Sequence, residues 1–123
     1  MFRDWGPATS IEEVLDLLDP EVEMLGAVGG IEEGEVIQGA RSVAAAMFVD
    51  SEIWAERRYE VQRILDTGNG VLVLAKEYRR GRGSDVPVHA EMGLLYDFRD
   101  GRIARIRPYM NQADALAAAG LRE

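Results

Sequence analysis

Few side chains in this sequence could carry chemistry, and most of them lie in its second half. The chain has no cysteine and one histidine, His89, which excludes thiolate chemistry and thiolate metal sites. Its acidic residues show no metal-ligand spacing, so we predict neither a metal nor a cofactor. Lys76 interrupts an apolar run. A desolvated amine there could act as a base or an anion anchor, or its stem could pack while the amine reaches water.

The tyrosines Tyr78 and Tyr96 and three glutamates complete the candidates. Tyr96 could donate a hydrogen bond to a ligand carbonyl, although buried tyrosines usually find some partner. Glu32, Glu33 and Glu35 follow one another in a glycine-rich stretch. A carboxylate there could abstract a proton next to a carbonyl, or could simply be solvated. No pair of carboxylates facing one pocket can be identified, so glycosidase or epoxide-hydrolase chemistry is not supported.

Composition limits the class of partner. The chain has 22 acidic and 14 basic residues and a formal charge of −8, and an acidic surface repels phosphate backbones, so we predict no nucleic-acid partner. Its apolar runs stop well short of the ~20 residues that a membrane span needs. Without a membrane segment or a secretory signal, we expect a cytoplasmic protein. We also expect residues 1–123 to form a single domain.

The spacing of apolar residues predicts the elements that position these side chains. A capping box at residues 10–13 opens a first helix that reaches Leu18 and stops at Pro20. A short strand over residues 22–28, an irregular connection and a second helix over residues 40–49 follow. Alternation then predicts strands over residues 54–66, 71–78, 86–98 and 103–110. A last helix begins at Asn111 and ends near Gly120. The order is that of an α+β fold with a long antiparallel sheet.

This order, with the residues at its joints, resembles the SnoaL-like branch of the nuclear transport factor 2 superfamily. The stretches that carry the resemblance are residues 17–23, 39–43, 70–74, 80–84 and 99–103, Tyr109, and residues 113–116. The resemblance implies a cone-shaped curved antiparallel sheet wrapped around N-terminal helices, with a short C-terminal helix and a pocket at one end. Members of the superfamily include polyketide cyclases, ketosteroid isomerase, epoxide hydrolases, dehydratases and catalytically silent binding domains, so the fold leaves the chemistry open.

Alternation along the strands, combined with resemblance to ketosteroid isomerase, sorts the pocket residues. It places Met92, Leu94 and Tyr96 inward on one strand. The same sorting places Leu72, Leu74, Lys76 and Tyr78 inward on the preceding strand, and Ile106, Pro108 and Met110 inward on the last. Trp54 is expected at the pocket mouth. The predicted ligand-binding set is Trp54, Leu74, Lys76, Tyr78, Met92, Leu94, Tyr96 and Met110.

Catalysis is not assured by these residues. The position where relatives place an acid or a histidine falls on Leu94, which cannot transfer a proton, so the catalytic residues stay unassigned. We therefore predict a homodimer, joined through the outer sheet face, that binds a small hydrophobic or carbonyl-bearing ligand. The alternatives are an isomerase, cyclase or dehydratase that uses Tyr96 or Lys76 with a loop glutamate, and a purely structural dimerisation module whose interior is filled. A β-bulge between Met92 and Tyr96 would reverse the facing of that strand.

Overall fold

A computed structural model describes residues 11–81 and 87–121, and within its helices and strands the side chains other than those of residues 11, 47–59, 81 and 87–88. Residue 10, which opens the predicted capping box, and residues 82–86, between the second and third predicted long strands, lie outside the described residues. The elements are α1 (Ile11–Leu15), β1 (Leu18–Leu25), β2 (Val36–Gln38), α2 (Ala40–Ile53), β3 (Trp54–Asp66), β4 (Gly70–Gly81), β5 (Pro87–Arg99), β6 (Arg102–Tyr109) and α3 (Gln112–Ala118).

The predicted α+β fold is confirmed. Six strands form one curved, open sheet in the order β2-β1-β6-β5-β4-β3. The four long strands pair antiparallel, as expected, whereas β1 pairs parallel with β6, so the sheet is mixed. The parallel pair places β1, the N-terminal strand, beside β6, the C-terminal one.

The N-terminal elements differ from their prediction. The first helix ends at Leu15 rather than Leu18, and β1 runs from Leu18 through Pro20. Pro20 is tolerated in a strand because the pairing of β1 with β6 is interrupted between Leu18 and Glu23, where a backbone donor is not required. The strand β2 was not predicted, because three exposed residues are too few to show an alternation.

The predicted turns and caps of the C-terminal half are confirmed. Asp100 and Gly101 both adopt positive φ angles, 53° and 81°, as a two-residue hairpin between twisted strands requires. The side chain of Asn111 accepts a hydrogen bond from the Asp114 backbone nitrogen at 3.1 Å and so caps α3. Gly120, at φ 75°, ends that helix, and the Leu121 nitrogen donates to the Leu116 carbonyl at 2.9 Å.

The two faces of the sheet carry two separate cores. The face that packs against α1 and α2, called the inner face here, buries Val14, Leu18, Val22, Val43, Ala44, Val73, Ala75, Tyr96, Ile103 and Ile106. The opposite or outer face packs against α3 and buries Leu72, Leu74, Tyr109, Ala115 and Leu116. Each face therefore has a helical layer, and the candidate site residues are divided between them.

The predicted assignment of the β4 side chains to the two faces of the sheet is wrong. Val73 pairs with Leu94 and Val71 pairs with Tyr96, and residues directly opposite each other on paired strands share a face. The inner residues of β4 are thus odd-numbered, and Leu72, Leu74, Lys76 and Tyr78 lie on the outer face. Because residues 72–75 are all buried, β4 is apolar on both sides, and its alternation cannot distinguish the two faces.

Candidate functional site

Three of the predicted pocket residues share the inner face. Met92, Leu94 and Tyr96 pair with Ala75, Val73 and Val71 in an uninterrupted register, so no bulge reverses this stretch of β5. Tyr96 belongs to the inner core, and Leu94 packs against it. The inward orientation of these residues is therefore confirmed, while their contact with a ligand stays a prediction.

Tyr96 is a core residue as much as a site residue. It is 3% exposed and lies in the same cluster as Val14, Val22 and Val43. Burial raises the pKa of its hydroxyl well above the usual value, because the phenolate cannot be solvated there. The hydroxyl is therefore a neutral hydrogen-bonding group at neutral pH rather than a base.

The inner face also holds a charged pair that the sequence analysis missed. Glu77 is 2% exposed and, among the residues whose side chains are described, is the only buried charged one. Its Oε1 atom lies 3.0 Å from the Nε atom of Arg79, whose side chain is 24% exposed. Both residues share the parity of Ala75, so they continue the inner stripe of β4 past its apolar part. The sequence analysis missed them because it assigned the even-numbered side chains of β4, rather than the odd-numbered ones, to the inner face.

The two polar positions of the inner face are far apart. Tyr96 pairs with Val71, and Glu77 pairs with Ala90. From residue 71 to residue 77 the strand rises by roughly 20 Å, at about 3.4 Å per residue. The backbone positions of Tyr96 and Glu77 are thus well separated along the strands. The inner face therefore offers one polar end at Glu77 and Arg79, and a buried, core-like end at Tyr96.

The remaining predicted groups of β4 form a cluster on the outer face. The Nζ atom of Lys76 lies 5.8 Å from the ring centroid of Tyr78, within range of a cation–π attraction. The rings of Tyr78 and the exposed His89 lie 6.1 Å apart. Lys76 also pairs across the strands with Glu91. These side chains are close to one another and separated by the sheet from Met92, Leu94 and Tyr96.

Leu74 lies at an outer-face cavity beneath α3. The cavity has a volume of about 420 Å³ and is lined by Gln62, Arg63, Leu74, Glu91, Gln112, Ala113 and Leu116. A bulge in β3 between Val61 and Arg63 brings Gln62 to this side. There the Nε2 atom of Gln112 donates to the Oε1 atom of Gln62 at 2.8 Å. This hydrogen bond ties the first turn of α3 to β3.

The loop glutamates lie away from Tyr96. Glu32, Glu33 and Glu35 are all exposed. Glu33 and Glu35 line a cavity of about 230 Å³ together with Arg107, an outer-face residue. The Gly29 backbone nitrogen donates to the Oε1 atom of Glu33 at 2.9 Å. Lys76 therefore does not share an inner pocket with Tyr96, and the expected use of a loop glutamate with either residue stays a prediction.

Two further predicted residues are less informative. Trp54 opens β3, where its backbone pairs with Gly81, but its side chain lies outside the described part of the chain. Met110 follows β6 and is 39% exposed. Its backbone nitrogen donates to the Val28 carbonyl at 3.0 Å, which ties this position to the loop after β1. Ligand contact at Trp54 and Met110 stays a prediction.

Within residues 11–81 and 87–121 no group of three or more His, Asp and Glu side chains is arranged to hold a metal ion. In the same ranges no helix has the length and apolar character needed to cross a bilayer.

Comparison with known proteins identifies the fold. No protein-family model matches the sequence, and no curated protein is detectably similar to it. Among solved structures, a putative SnoaL-like polyketide cyclase from a Jannaschia species superposes with a TM-score of 0.75 at 16% identity, covering 97% of this chain and 85% of that one. An NTF2-like protein from Anabaena variabilis gives 0.73 at 18% identity, covering 89% and 81%.

A third similar structure carries a bound molecule. It is a hypothetical protein with a ketosteroid isomerase-like fold from Catenulispora acidiphila, solved in complex with trimethylamine, with a TM-score of 0.72 at 16% identity over 94% of this chain and 85% of that one. The chain therefore has the fold shared by SnoaL-like, NTF2-like and ketosteroid isomerase-like proteins, which confirms the resemblance at the level of fold.

Proposed function

We propose that this protein binds a small molecule with an apolar body on the inner face of its sheet, with Glu77 and Arg79 at the polar end of the site. The apolar body would lie along Met92 and Leu94, beside the end of β4 that carries the charged pair. Sites for small ligands are mostly apolar with a few placed polar groups, and this part of the inner face has that composition.

The observation that carries the proposal is the burial of Glu77 on an otherwise apolar face. Enclosing an ion pair is expensive because both charges lose their hydration, and an apolar pair of similar volume is often as stable or more so. Stability alone is therefore a weak explanation for a buried carboxylate at Glu77, and contact with a ligand is the use that we propose for it.

A thermal-shift screen of the purified chain against small apolar carbonyl compounds tests the proposal. We expect at least one compound to raise the melting temperature, because a ligand that binds only the folded state stabilises it. The shift should decrease in Glu77→Gln and persist in Glu91→Gln, a matched change on the outer face. A complete absence of stabilising compounds, or equal loss in both variants, would contradict an inner-face site.

A catalytic role is the second candidate, and the inner-face carboxylate of Glu77 favours it. A carboxylate beside a bound carbonyl compound can abstract a proton from the adjacent carbon, as an isomerase, cyclase or dehydratase requires. The test is exchange of that proton for deuterium in heavy water, followed by NMR on a compound found in the screen. Exchange that is lost in Glu77→Gln would support catalysis, and exchange at the uncatalysed rate would leave a binding protein.

We also propose that the protein acts as a cytoplasmic, single-domain homodimer joined through the outer face beside α3. Glu23, Asp97, Arg105 and Arg107 lie half-buried on that face, and Arg105 pairs across the strands with both Asp97 and Glu23. Two acids and two arginines can complement a second copy of themselves about a two-fold axis. Sedimentation equilibrium should give a dimer mass that Arg107→Glu reduces to the monomer; a monomeric wild type would contradict this.

A further inference from the structure

We propose that the outer-face cavity beneath α3 is a second small-molecule site, which takes a neutral ligand with a small apolar body and an amide group. The cavity lies on the opposite face of the sheet from Glu77 and Arg79, so either site can exist without the other. Its volume of about 420 Å³ falls within the range of about 300–1,000 Å³ that is typical of pockets for small molecules.

The floor of this cavity is apolar and is held in place by the outer core. Leu74 of β4 and Leu116 of α3 line it and are 3% and 7% exposed. Both leucines belong to the outer core cluster, so their packing fixes them whether or not a ligand is bound. A preformed apolar surface lowers the ordering cost of binding.

A β-bulge supplies the first polar group of the cavity. Val61 pairs with Ala75 and Arg63 pairs with Leu74, so Gln62 is the extra residue of β3. The extra residue of a bulge is left out of the strand pairing, and bulges commonly redirect a side chain beside a functional site. The side chain redirected here is that of Gln62, which lines the cavity.

Gln112 of α3 supplies the second polar group, and the sheet fixes its orientation. Its Nε2 atom donates to the Oε1 atom of Gln62 at 2.8 Å and lies 3.4 Å from the carbonyl oxygens of Ala75 and Met92. Because three oxygen atoms surround this end of the amide, it is the donating NH2 end. The accepting oxygen Oε1 of Gln112 is therefore the other end.

The bond between these two amides leaves one donor and one acceptor for a ligand. Among residues 11–81 and 87–121, neither Nε2 of Gln62 nor Oε1 of Gln112 has a hydrogen-bond partner. An amide NH2 donates and an amide oxygen accepts, so a ligand amide can accept from Gln62 and donate to Gln112. An ester of the same shape offers only the acceptor.

The side-chain NH2 signals of the glutamines test this site in NMR of the isotope-labelled chain. The sequence has three, Gln38, Gln62 and Gln112, and the signals would be assigned by substitution. Benzamide is the probe, and methyl benzoate is the matched ester. We expect benzamide to shift Gln62 and Gln112 with saturation but not Gln38, which lies on β2 at the opposite edge of the sheet from β3. Methyl benzoate should bind about fivefold more weakly, as the loss of one hydrogen bond predicts.

Three variants separate this site from the inner face. Gln62→Glu keeps an oxygen that accepts from Gln112 but removes the donor, so benzamide should bind about fivefold more weakly; Gln38→Glu, the same change of charge at the far edge, should leave its affinity unchanged. Ala113→Leu, at an exposed position of α3 that lines the cavity, should fold and should weaken both probes at least about tenfold by occupying their space. Glu77→Gln should leave the Gln62 and Gln112 titrations unchanged.

The proposal has three contradicting outcomes. Benzamide that shifts neither Gln62 nor Gln112 would overturn the site, and equal affinity for benzamide and methyl benzoate would overturn the amide preference. Binding that survives Ala113→Leu, or that is lost in Glu77→Gln, would place the probe elsewhere on the chain. The inner-face site is judged separately, by the thermal shift that Glu77→Gln should decrease.

Discussion

The two faces of the sheet hold charged side chains under opposite conditions. On the inner face, Glu77 is buried beside Arg79 at the end of an apolar stripe. On the outer face, Lys76 lies against Tyr78 and opposite the exposed Glu91. Charges near water are screened and add little to stability, whereas enclosed charges interact strongly and are costly when unpaired. Burial and neighbouring residues, rather than residue type, therefore locate the candidate site.

The largest expected effect is the difference in stability lost when Glu77 on the inner face and Glu91 on the outer face are each replaced by leucine. Glu77→Leu removes the buried carboxylate that contacts Arg79, and removing one member of a buried pair costs up to about 3–5 kcal/mol. Glu91→Leu, at an exposed outer position, should change the free energy of unfolding by no more than about 0.5 kcal/mol. Urea unfolding measures both.

The double variant completes that experiment. Replacing Glu77 and Arg79 together by leucine should recover most of the lost stability, since neither charge of the pair then remains. The same double variant should lose the thermal shift that a stabilising carbonyl compound gives the wild type. Equal losses for Glu77→Leu and Glu91→Leu would remove the distinction between the faces.

The next effect concerns the outer core. A Cβ atom at Gly93 would lie 2.3 Å from the Cβ of Ala115 in α3, so Gly93→Ala forces α3 away from the sheet and should cost roughly 1–3 kcal/mol. Ala115→Gly alone should cost about 1 kcal/mol through helix propensity. Combining the two should cost less than their sum. Additive losses in urea unfolding would show that this contact does not limit the packing of α3.

A smaller effect tests whether Tyr96 is a core or a ligand residue. Tyr96→Phe removes a buried hydroxyl and should cost about 0.5–1.5 kcal/mol at neutral pH. The thermal shift given by a stabilising compound should stay unchanged, because the backbone of Tyr96, opposite Val71, lies roughly 20 Å along the strands from that of Glu77. Weaker binding in this variant would place the ligand at the Tyr96 end of the inner face instead.

The difference in stability between the wild type and Tyr96→Phe should depend on pH. Burial raises the pKa of Tyr96 above its ordinary value of 10.0, so on raising the pH the unfolded chain loses this proton before the folded chain does. The contribution of the hydroxyl is complete below pH 10 and is lost above it, by about 1.4 kcal/mol per pH unit. The stability advantage of the wild type over Tyr96→Phe should therefore shrink above pH 10; a constant difference in urea unfolding would contradict burial as the cause.

The smallest effect belongs to an exposed pair that contrasts with Glu77 and Arg79. Arg99 donates to Asp19 from two nitrogens, at 3.0 and 3.2 Å. This contact and a bond from the Glu21 nitrogen lower the pKa of Asp19 below its ordinary value of 3.8. The stabilisation is present above pH 3.8 and is lost as the pH falls through the lowered pKa. The melting temperature of Asp19→Asn should lie slightly below that of the wild type at pH 7, and the two should converge in acid; a gap that persists in acid would contradict this.

The sequence predicted the long strands and the C-terminal half well, because that half has local signals. Asp100-Gly101 demanded a tight hairpin, Asn111 and Gly120 marked both ends of α3, and the alternation of β5 agreed with the resemblance. The N-terminal half lacked such signals. Pro20 suggested the end of a helix, yet an interruption in strand pairing accommodates it within β1.

The candidate site was predicted only in part, for one physical reason. Strand β4 is apolar on both faces, so its facing depends on register with β5, which no local pattern encodes. Choosing the even-numbered residues brought Lys76 and Tyr78 into the expected pocket and left Glu77 and Arg79 out of it. The observed pairing of Val73 with Leu94 assigns all four residues to their correct faces of the sheet.

Methionine methyl NMR tests the central claim most directly. The sequence has five methionines, and Met92 lies on the inner face beside Ala75, a diagonal neighbour of Glu77, whereas Met110 lies against the loop after β1. Signals would be assigned from Met92→Leu and Met110→Leu, and a carbonyl compound that stabilises the wild type in the thermal-shift screen would be titrated into the labelled wild type. We expect the Met92 methyl to shift with saturation, and to shift by more than the Met110 methyl. A saturating shift at Met110 with none at Met92 would contradict a ligand site on the inner face.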